Sequence, residues 1–110
     1  VNPGEELAAS IDFSPVQLPY FTLWKNTAAE SDGYVTGLEP GTDFPNDRSF
    51  ERRRGRVVEL EAGESYQAQL RLGLARGGDE VDRLRERIKS IAHGKESTIC
   101  EEIDADFSPV

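Results

Sequence analysis

Glu39 is the residue whose type and position best suit chemistry in this 110-residue chain. It stands at the end of a strand predicted over residues 34–39 and directly before Pro40-Gly41, so rigid backbone should hold its carboxylate at the rim of a sheet. A carboxylate held in this way can act as a general base when its surroundings tune its acidity. A solvated glutamate at a strand end is an equally good interpretation of the pattern.

Other reactive side chains fit catalysis less well. Cys100, the one cysteine, stands beside two glutamates, whose negative charges blunt the nucleophilicity of a thiol. His93, the one histidine, falls at the expected end of a helix, where capping suits it better than catalysis. One histidine and one cysteine cannot build a metal site of those ligands. Gly77-Gly78 is not followed by the lysine and serine of a phosphate-binding loop. We therefore expect no metal and no cofactor.

The net charge of the chain makes some classes of binding partner unfavourable. The chain has 21 acidic and 13 basic residues and a net charge of −8, which disfavours nucleic acids and anionic membranes as partners. Five arginines between residues 48 and 56 form a local basic cluster, which predicts a solvated face or, alternatively, a contact with an anion or sugar phosphate. No apolar run approaches the roughly 20 residues of a membrane-spanning helix. The unpaired cysteine fits a reducing compartment, so we expect a cytoplasmic protein.

Five segments predict strands. Residues 20–25 are aromatic and β-branched, residues 34–39 and 56–60 are shorter candidates beside turn residues, and residues 7–13 and 65–74 alternate apolar with polar side chains. The last of them predicts one buried face, formed by Tyr66, Leu70, Leu72 and Leu74. Its opposite face is polar, as is typical of antiparallel sheets. Residues 40–49 contain two prolines and a glycine and predict a long loop.

After Gly77-Gly78 the period changes to that of an amphipathic helix. Its apolar positions are Val81, Leu84, Ile88 and Ile91. With Asp79 as the expected N-cap, this predicts one short helix over about residues 80–92 that packs its apolar stripe on the sheet. An acidic tail over residues 95–110 follows.

One pentapeptide, Asp-Phe-Ser-Pro-Val, occurs twice, at residues 12–16 and 106–110. Five residues are far fewer than the period of a structural repeat. Both copies could end strands, but no physical argument from the sequence explains their identity.

Three segments resemble the C-terminal portion of aldose 1-epimerase-like (galactose mutarotase-like) proteins, nearest to a branch of unknown function. They are Leu-Pro-Tyr-Phe-Thr-Leu-Trp-Lys-Asn at 18–26, Asp-Gly-Tyr-Val-Thr-Gly-Leu-Glu-Pro-Gly-Thr-Asp-Phe-Pro-Asn at 32–46, and Gly-Arg-Val-Val-Glu-Leu-Glu-Ala-Gly-Glu-Ser at 55–65. The resemblance covers roughly residues 8–75. A chain of motifs this long is more specific than any single short pattern.

The resemblance implies a mainly β fold. This would be an antiparallel β-sandwich, part of a galactose mutarotase-like supersandwich, with the short helix near the C-terminus. It implies that Glu39 takes the proton from the anomeric hydroxyl of a sugar, with Pro45-Asn46 as the matching downstream pair. In that chemistry Lys25 and Arg48 would hold sugar hydroxyls or an anionic substituent. Trp24 would stack on a sugar face, although a strand tryptophan more often belongs to a core.

The resemblance also bears on domain organisation. The family's catalytic histidines precede the matching region, and its domain is more than twice as long. Residues 1–110 are therefore interpreted as a single domain or as a C-terminal fragment of a larger sandwich. Three functions stay open: part of a sugar epimerase, a non-catalytic carbohydrate-binding module, and an inactive structural fragment. A sandwich that lacks strands has open edges, so self-association is expected.

We predict that this chain alone does not accelerate mutarotation. Ring opening needs a base at the anomeric hydroxyl and an acid at the ring oxygen, each contributing about 10²–10⁴-fold. Glu39 can supply the base, but His93 follows the last strand and matches no proton donor of the family. Polarimetry of pure α-glucose and α-galactose with the chain and with Glu39→Gln tests this. Faster mutarotation with the unaltered chain, but not with Glu39→Gln, would contradict the prediction.

Overall fold

The computed structural model describes residues 1–2, 4 and 6–109. Its elements are β1 (Leu7–Phe13), β2 (Tyr20–Lys25), a 3-10 turn (Glu30–Asp32), β3 (Thr36–Gly41), α1 (Arg48–Arg53), β4 (Leu70–Arg76) and α2 (Gly78–Ala92). β1 pairs with β4 and β2 pairs with β3, so the strands form antiparallel two-stranded sheets. The antiparallel strands and the late helix expected from the sequence are confirmed.

Two compact units divide the chain. The first comprises Val1–Asp12 and Arg71–Glu102, and the second comprises Phe13–Leu70 and Ile103–Val110. The first therefore contains α2 and nearly all of β1 and β4, whereas the second contains the β2–β3 hairpin and α1. Among the described residues, no helix has the length and apolar character needed to cross a membrane.

The helix predicted over residues 80–92 is confirmed as α2, with small changes at its ends, but the predicted packing of its whole apolar stripe is wrong, because Val81 is buried whereas Ile88 and Ile91 are 55% and 61% exposed. Its N-cap is Gly77 rather than Asp79, because the backbone there takes a φ of 81°, which suits glycine. Asp79 lies instead in the first turn, where its charge complements the helix dipole. The helix ends at Ala92, and His93 takes the left-handed C-cap position with a φ of 50°.

The strand predicted over residues 65–74 is wrong in its bounds and in its burial. The strand is β4, whose leucines are 54%, 79% and 62% exposed at Leu70, Leu72 and Leu74. The small residues Gly73 and Ala75 are the half-buried ones. Alternation decides which side chains share a face, but only the neighbouring elements decide which face is covered.

Residues 66–69 are held by side-chain contacts and not by a strand ladder. The Tyr66 hydroxyl donates to the Gln17 carbonyl oxygen, and the Gln69 N–H donates to Gln17 Oε1 at 3.2 Å. Gln17 thus satisfies the Gln69 N–H, a backbone group that a neighbouring strand would otherwise satisfy. Tyr66 is nevertheless exposed, so its predicted burial is wrong.

A helix lies where the sequence predicted a loop. Helix α1 overlaps the loop expected over residues 40–49, and the strand expected over 56–60 is irregular chain. A helix of six residues is too short for its periodicity to show in a sequence. Phe50 and Glu51 are its buried residues, and the Arg56 N–H donates to the Glu51 carbonyl oxygen at 3.0 Å. The segment after α1 is thereby tied to the helix.

Val81 and Leu72 provide a test of this burial pattern. Val81 is fully buried, so Val81→Ala should lower the free energy of unfolding by about 1–3 kcal/mol, through lost burial and a cavity. Leu72→Ala removes a larger side chain from an exposed position and should change that free energy by less than about 0.5 kcal/mol. Urea unfolding followed by circular dichroism measures both. A comparable loss in the two variants would mean that the Leu72 face is covered in solution.

Candidate functional site

The β2–β3 hairpin brings two of the predicted site residues to one face. β3 begins at Thr36, two residues later than predicted, so Glu39 lies inside the strand and not at its end. Glu39 is directly opposite Thr22, and Gly37 is directly opposite Trp24. Residues directly opposite each other in antiparallel strands project to the same face. Glu39 and Trp24 are therefore diagonal neighbours on one face.

Gly37 lets these two side chains approach each other. A Cβ atom at Gly37 would lie 2.7 Å from Glu39 Oε1 and 3.4 Å from Trp24 Cβ. The Glu39 carboxylate thus lies over the Gly37 backbone, beside the base of the Trp24 side chain. Any larger residue at position 37 would displace the carboxylate.

Both side chains are open to an incoming ligand. Trp24 is 49% exposed, so this strand tryptophan is not a core residue, and Glu39 is exposed as well. An exposed indole offers a flat apolar surface, and a carboxylate accepts several hydrogen bonds. A ligand with one apolar face and a hydroxyl-bearing edge can use both at once.

Lys25 lies on the other face of the hairpin. It is opposite Thr36, one residue on from the Trp24–Gly37 pair, and successive residues of a strand alternate between faces. The same face carries three exposed apolar side chains: Phe21, Leu23 and Leu38. The structure therefore does not bring Lys25 to Glu39.

Asn46 and Arg48 lie beyond the hairpin. Asn46 Nδ2 donates to Glu51 Oε1 at 2.7 Å and to the Phe107 carbonyl oxygen at 2.9 Å. Arg48 is the first residue of α1 and is exposed. The side-chain nitrogen of Asn46 thus donates within the protein, whereas the Arg48 side chain reaches solvent.

A buried ion pair, which sequence reasoning did not find, dominates this part of the second unit. Arg56 Nε lies 2.5 Å from Glu51 Oε2, and Arg56 Nη2 donates to Glu51 Oε1 at 2.9 Å. The side chain of Arg56 is 8% exposed and that of Glu51 is 0% exposed. The Phe44 N–H donates to Glu51 Oε2 at 3.3 Å. With these contacts the carboxylate is fully hydrogen-bonded, as a buried charge requires.

Aromatic rings surround the arginine of this pair. The Arg56 Cζ lies 5.3–5.8 Å from three ring centroids, those of Tyr20, Phe44 and Phe50. The electron-rich faces of such rings attract a cation at these distances. Tyr20 is the first residue of β2 and packs on Phe44 with 4.7 Å between centroids. We name Asn46, Glu51, Arg56 and these three rings the Arg56 cluster.

Glu51 and Arg56 of this cluster both stay ionised at neutral pH. Hydrogen bonds from Arg56 lower the pKa of Glu51 from 4.5 to about 2, against the opposing effect of burial and with help from the Asn46 amide and the Phe44 N–H. The same hydrogen bonds raise the pKa of the Arg56 guanidinium. Neither group exchanges a proton near neutral pH, so the pair positions other groups and is unsuited to acid–base chemistry.

One feature of the sequence points to this pair. Phe50-Glu51 interrupts the run of arginines, whose composition predicts a solvated face or a contact with an anion. An aromatic residue and an acid among arginines fit a partly buried segment. Only the folded chain shows that Arg56, and not its neighbours, is the arginine that becomes buried.

The segment that builds the hairpin face and the Arg56 cluster also carries a family match. A family model described as "Domain of unknown function (DUF4432)" matches residues 1–74. The chain belongs to the DUF4432 family. No curated protein and no solved structure matches the chain. Membership of DUF4432 confirms the part of the resemblance that pointed to a branch of unknown function.

Within the part of this DUF4432 chain that the structure describes, no group of three His, Cys, Asp or Glu side chains is arranged to hold a metal ion. The candidate functional features of the described residues are thus the exposed face with Glu39 and Trp24 and the buried pair of Glu51 and Arg56. The first can contact a ligand directly. The second can hold the segments around it.

Replacing Glu51 with Gln should lower the free energy of unfolding by about 3–5 kcal/mol at neutral pH, because Arg56 would stay buried without its counter-charge. Folding lowers the pKa of Glu51, so its contribution is complete above pH 4.5 and is lost as the pH falls toward about 2. The difference between the unaltered chain and Glu51→Gln should therefore shrink over that range. Urea unfolding at several pH values measures it.

Glu59→Gln is the matched control for this variant. Glu59 pairs with Arg52 at 3.7 Å on the surface, where such pairs contribute about 0–1 kcal/mol. A difference for Glu51→Gln that stays constant between neutral pH and pH 2.5, or that equals the Glu59→Gln effect, would contradict a stabilising buried pair.

Proposed function

We propose that this chain binds a sugar on the Glu39–Trp24 face of the hairpin, and that in a longer parent protein, which supplies the proton donor, Glu39 serves as the general base of aldose 1-epimerase-like chemistry. The observation that carries the proposal is the position of the Glu39 carboxylate over Gly37, beside the base of the half-exposed Trp24 side chain. An indole stacks on the apolar face of a sugar ring, and a carboxylate accepts hydrogen bonds from its hydroxyls. The segment at residues 32–46, which carries the resemblance, supplies both Gly37 and Glu39.

In the proposed chemistry, Glu39 takes the proton of the anomeric hydroxyl while the bond between C1 and the ring oxygen breaks. The ring oxygen takes a proton from an acid, and the open aldehyde turns about the C1–C2 bond. Reversal of these steps closes the ring on the other face of C1 and returns both protons. The sugar changes configuration at one carbon and gains or loses no atom.

A carbohydrate-binding module without catalysis is the second candidate. The observation that favours it is the make-up of the hairpin face, where Thr22 lies opposite Glu39 and Tyr20 and Trp24 are its diagonal neighbours. The Tyr20 ring packs on Phe44 and lies against Arg56, so the face offers a base and a binding surface without a histidine or a carboxylic acid to protonate the ring oxygen. Both candidates place the sugar on the same residues.

The proposal extends to the fold and to assembly. We infer that the two-stranded sheets are parts of an antiparallel β-sandwich of the mutarotase-like kind. Each sheet exposes apolar side chains suited to packing against another sheet: Leu70, Leu72 and Leu74 on β4, and Phe21, Leu23 and Leu38 on the hairpin. The same exposed faces and open strand edges suit self-association of this chain.

The proposed site predicts which substitutions weaken sugar binding. Nuclear magnetic resonance titration with glucose and galactose should shift the signals of Trp24 and Gly37. Trp24→Ala and Glu39→Gln should each weaken binding about fivefold, since each removes a contact of about 1 kcal/mol. Lys25→Ala, on the opposite face of the same strand, is the matched control and should leave binding unchanged.

The two candidates and the failure of both give different results. Binding without faster mutarotation in polarimetry selects the binding module for this chain. Binding with faster mutarotation that Glu39→Gln abolishes selects the enzyme, and would contradict our prediction that this chain alone is inactive. No binding of either sugar at millimolar concentration, or equal losses in Lys25→Ala and Trp24→Ala, would overturn the site.

A further inference from the structure

A stretch of chain after α2 lies on the Arg56 cluster. Three of its consecutive backbone carbonyls accept hydrogen bonds: Ala105 from Arg54 Nη2 at 2.9 Å, Asp106 from Arg56 Nη1 at 2.8 Å, and Phe107 from Asn46 Nδ2 at 2.9 Å. Side-chain donors that capture successive carbonyls are typical of a peptide held by its backbone.

Two side chains of this stretch add to the contact. The Asp106 carboxylate pairs with the Arg54 guanidinium. The Phe107 ring packs on Phe44, with 5.4 Å between the ring centroids. The backbone contacts thus hold the segment, and the Asp and Phe side chains supply the part that depends on sequence.

The groups that receive the segment are already fixed. Glu51 holds Arg56 by two hydrogen bonds and Asn46 by one. The Arg54 guanidinium lies over the Phe50 ring at 5.3 Å from its centroid. Donors held in this way need little further ordering when a peptide binds, which favours binding.

The repeated pentapeptide gains a physical meaning here. In its first copy, Asp12 pairs with Arg87, and the Phe13 ring stacks on Phe21 at 5.8 Å. In its second copy, Asp106 likewise pairs with an arginine and Phe107 with a phenylalanine. The Asp-Phe pair thus makes the same two contacts in both copies. The aspartate pairs with an arginine, and the phenylalanine packs on another phenylalanine.

We propose that Arg54, Arg56, Asn46 and Phe44 form a binding site for a short Asp-Phe peptide segment, which residues 105–107 of the chain's own tail occupy reversibly. The site residues lie inside the DUF4432 match, and the occupying segment lies outside it. The ligand class is therefore an acidic–aromatic peptide. This proposal does not depend on sugar binding by the hairpin face.

The exposure of the contacts makes the docking reversible. The Asp106 side chain is 65% exposed in its pair with Arg54, and exposed ion pairs are weak. A tethered segment nevertheless keeps a high local concentration at its site, on the order of millimolar. The tail should therefore block a free peptide while remaining able to leave.

A labelled peptide with the sequence of residues 103–109, Ile-Asp-Ala-Asp-Phe-Ser-Pro, tests the site by fluorescence anisotropy. The full chain carrying Asp106→Ala and Phe107→Ala should bind it at least about tenfold more tightly than the unaltered chain, because the competing segment is weakened. A peptide with Ala in place of its Asp-Phe pair should not bind. Equal binding by the two chains, or by the two peptides, would overturn the proposal.

Arginine variants show whether the peptide uses the proposed site. Arg54→Ala, added to the tail variant, should abolish peptide binding. Arg53→Ala should not, although the Arg53 guanidinium also lies over the Phe50 ring, at 5.9 Å. Equal effects of these neighbouring substitutions would place the peptide elsewhere and overturn the assignment.

Hydrogen exchange gives a measurement that needs no altered tail. The Phe107 and Ser108 amides donate to the Asp104 carbonyl oxygen at 2.9 and 3.2 Å within the docked turn. Arg54→Ala should speed the exchange of both amides about tenfold, because an undocked turn of this length opens readily. Arg53→Ala should leave both rates unchanged. Identical rates in the unaltered chain and in Arg54→Ala would show that the tail is not held by this site.

Discussion

The buried pair of Glu51 and Arg56 holds together the segments that follow the hairpin. Because neither charge reaches water, each must find its hydrogen bonds within the protein. Glu51 accepts hydrogen bonds from the Asn46 amide and the Phe44 N–H, and Arg56 lies against three aromatic rings. One of those rings is Tyr20, the first residue of β2. The short helix, the loop before it and the start of the hairpin thus depend on a single charged contact.

Strand geometry gives the two faces of the hairpin different sets of side chains. The face with Glu39 and Trp24 offers a carboxylate and an indole over a glycine, which suits a small polar ligand with an apolar side. The other face offers Phe21, Leu23 and Leu38, which suit another protein surface. Because side chains alternate along each strand, one residue separates a member of one face from a member of the other. A shift of register by one residue would exchange them.

The arginines at positions 48–56 show how an acidic protein uses a basic run. Most of these guanidinium groups turn to partners within the chain. Arg52 pairs with Glu59, Arg54 with Asp106 and Arg56 with Glu51. Four of the five arginines are nevertheless exposed, and Arg56 is the one whose side chain is withdrawn from water. The run thus combines an exposed face with one buried ion pair.

Local patterns in the sequence by themselves determined β1, β2 and α2, because alternation, helical spacing and turn residues act over a few positions. They also placed Trp24 and Glu39 on two consecutive strands of the chain. Only the tertiary structure decided that Gly37 brings these two together, that the leucines of β4 face outward, and that Glu51 rather than any surface acid is buried. The same holds for the docking of residues 105–107 some fifty positions from Arg54 and Arg56. Burial and ion pairing depend on which distant segments meet, and no local period carries that information.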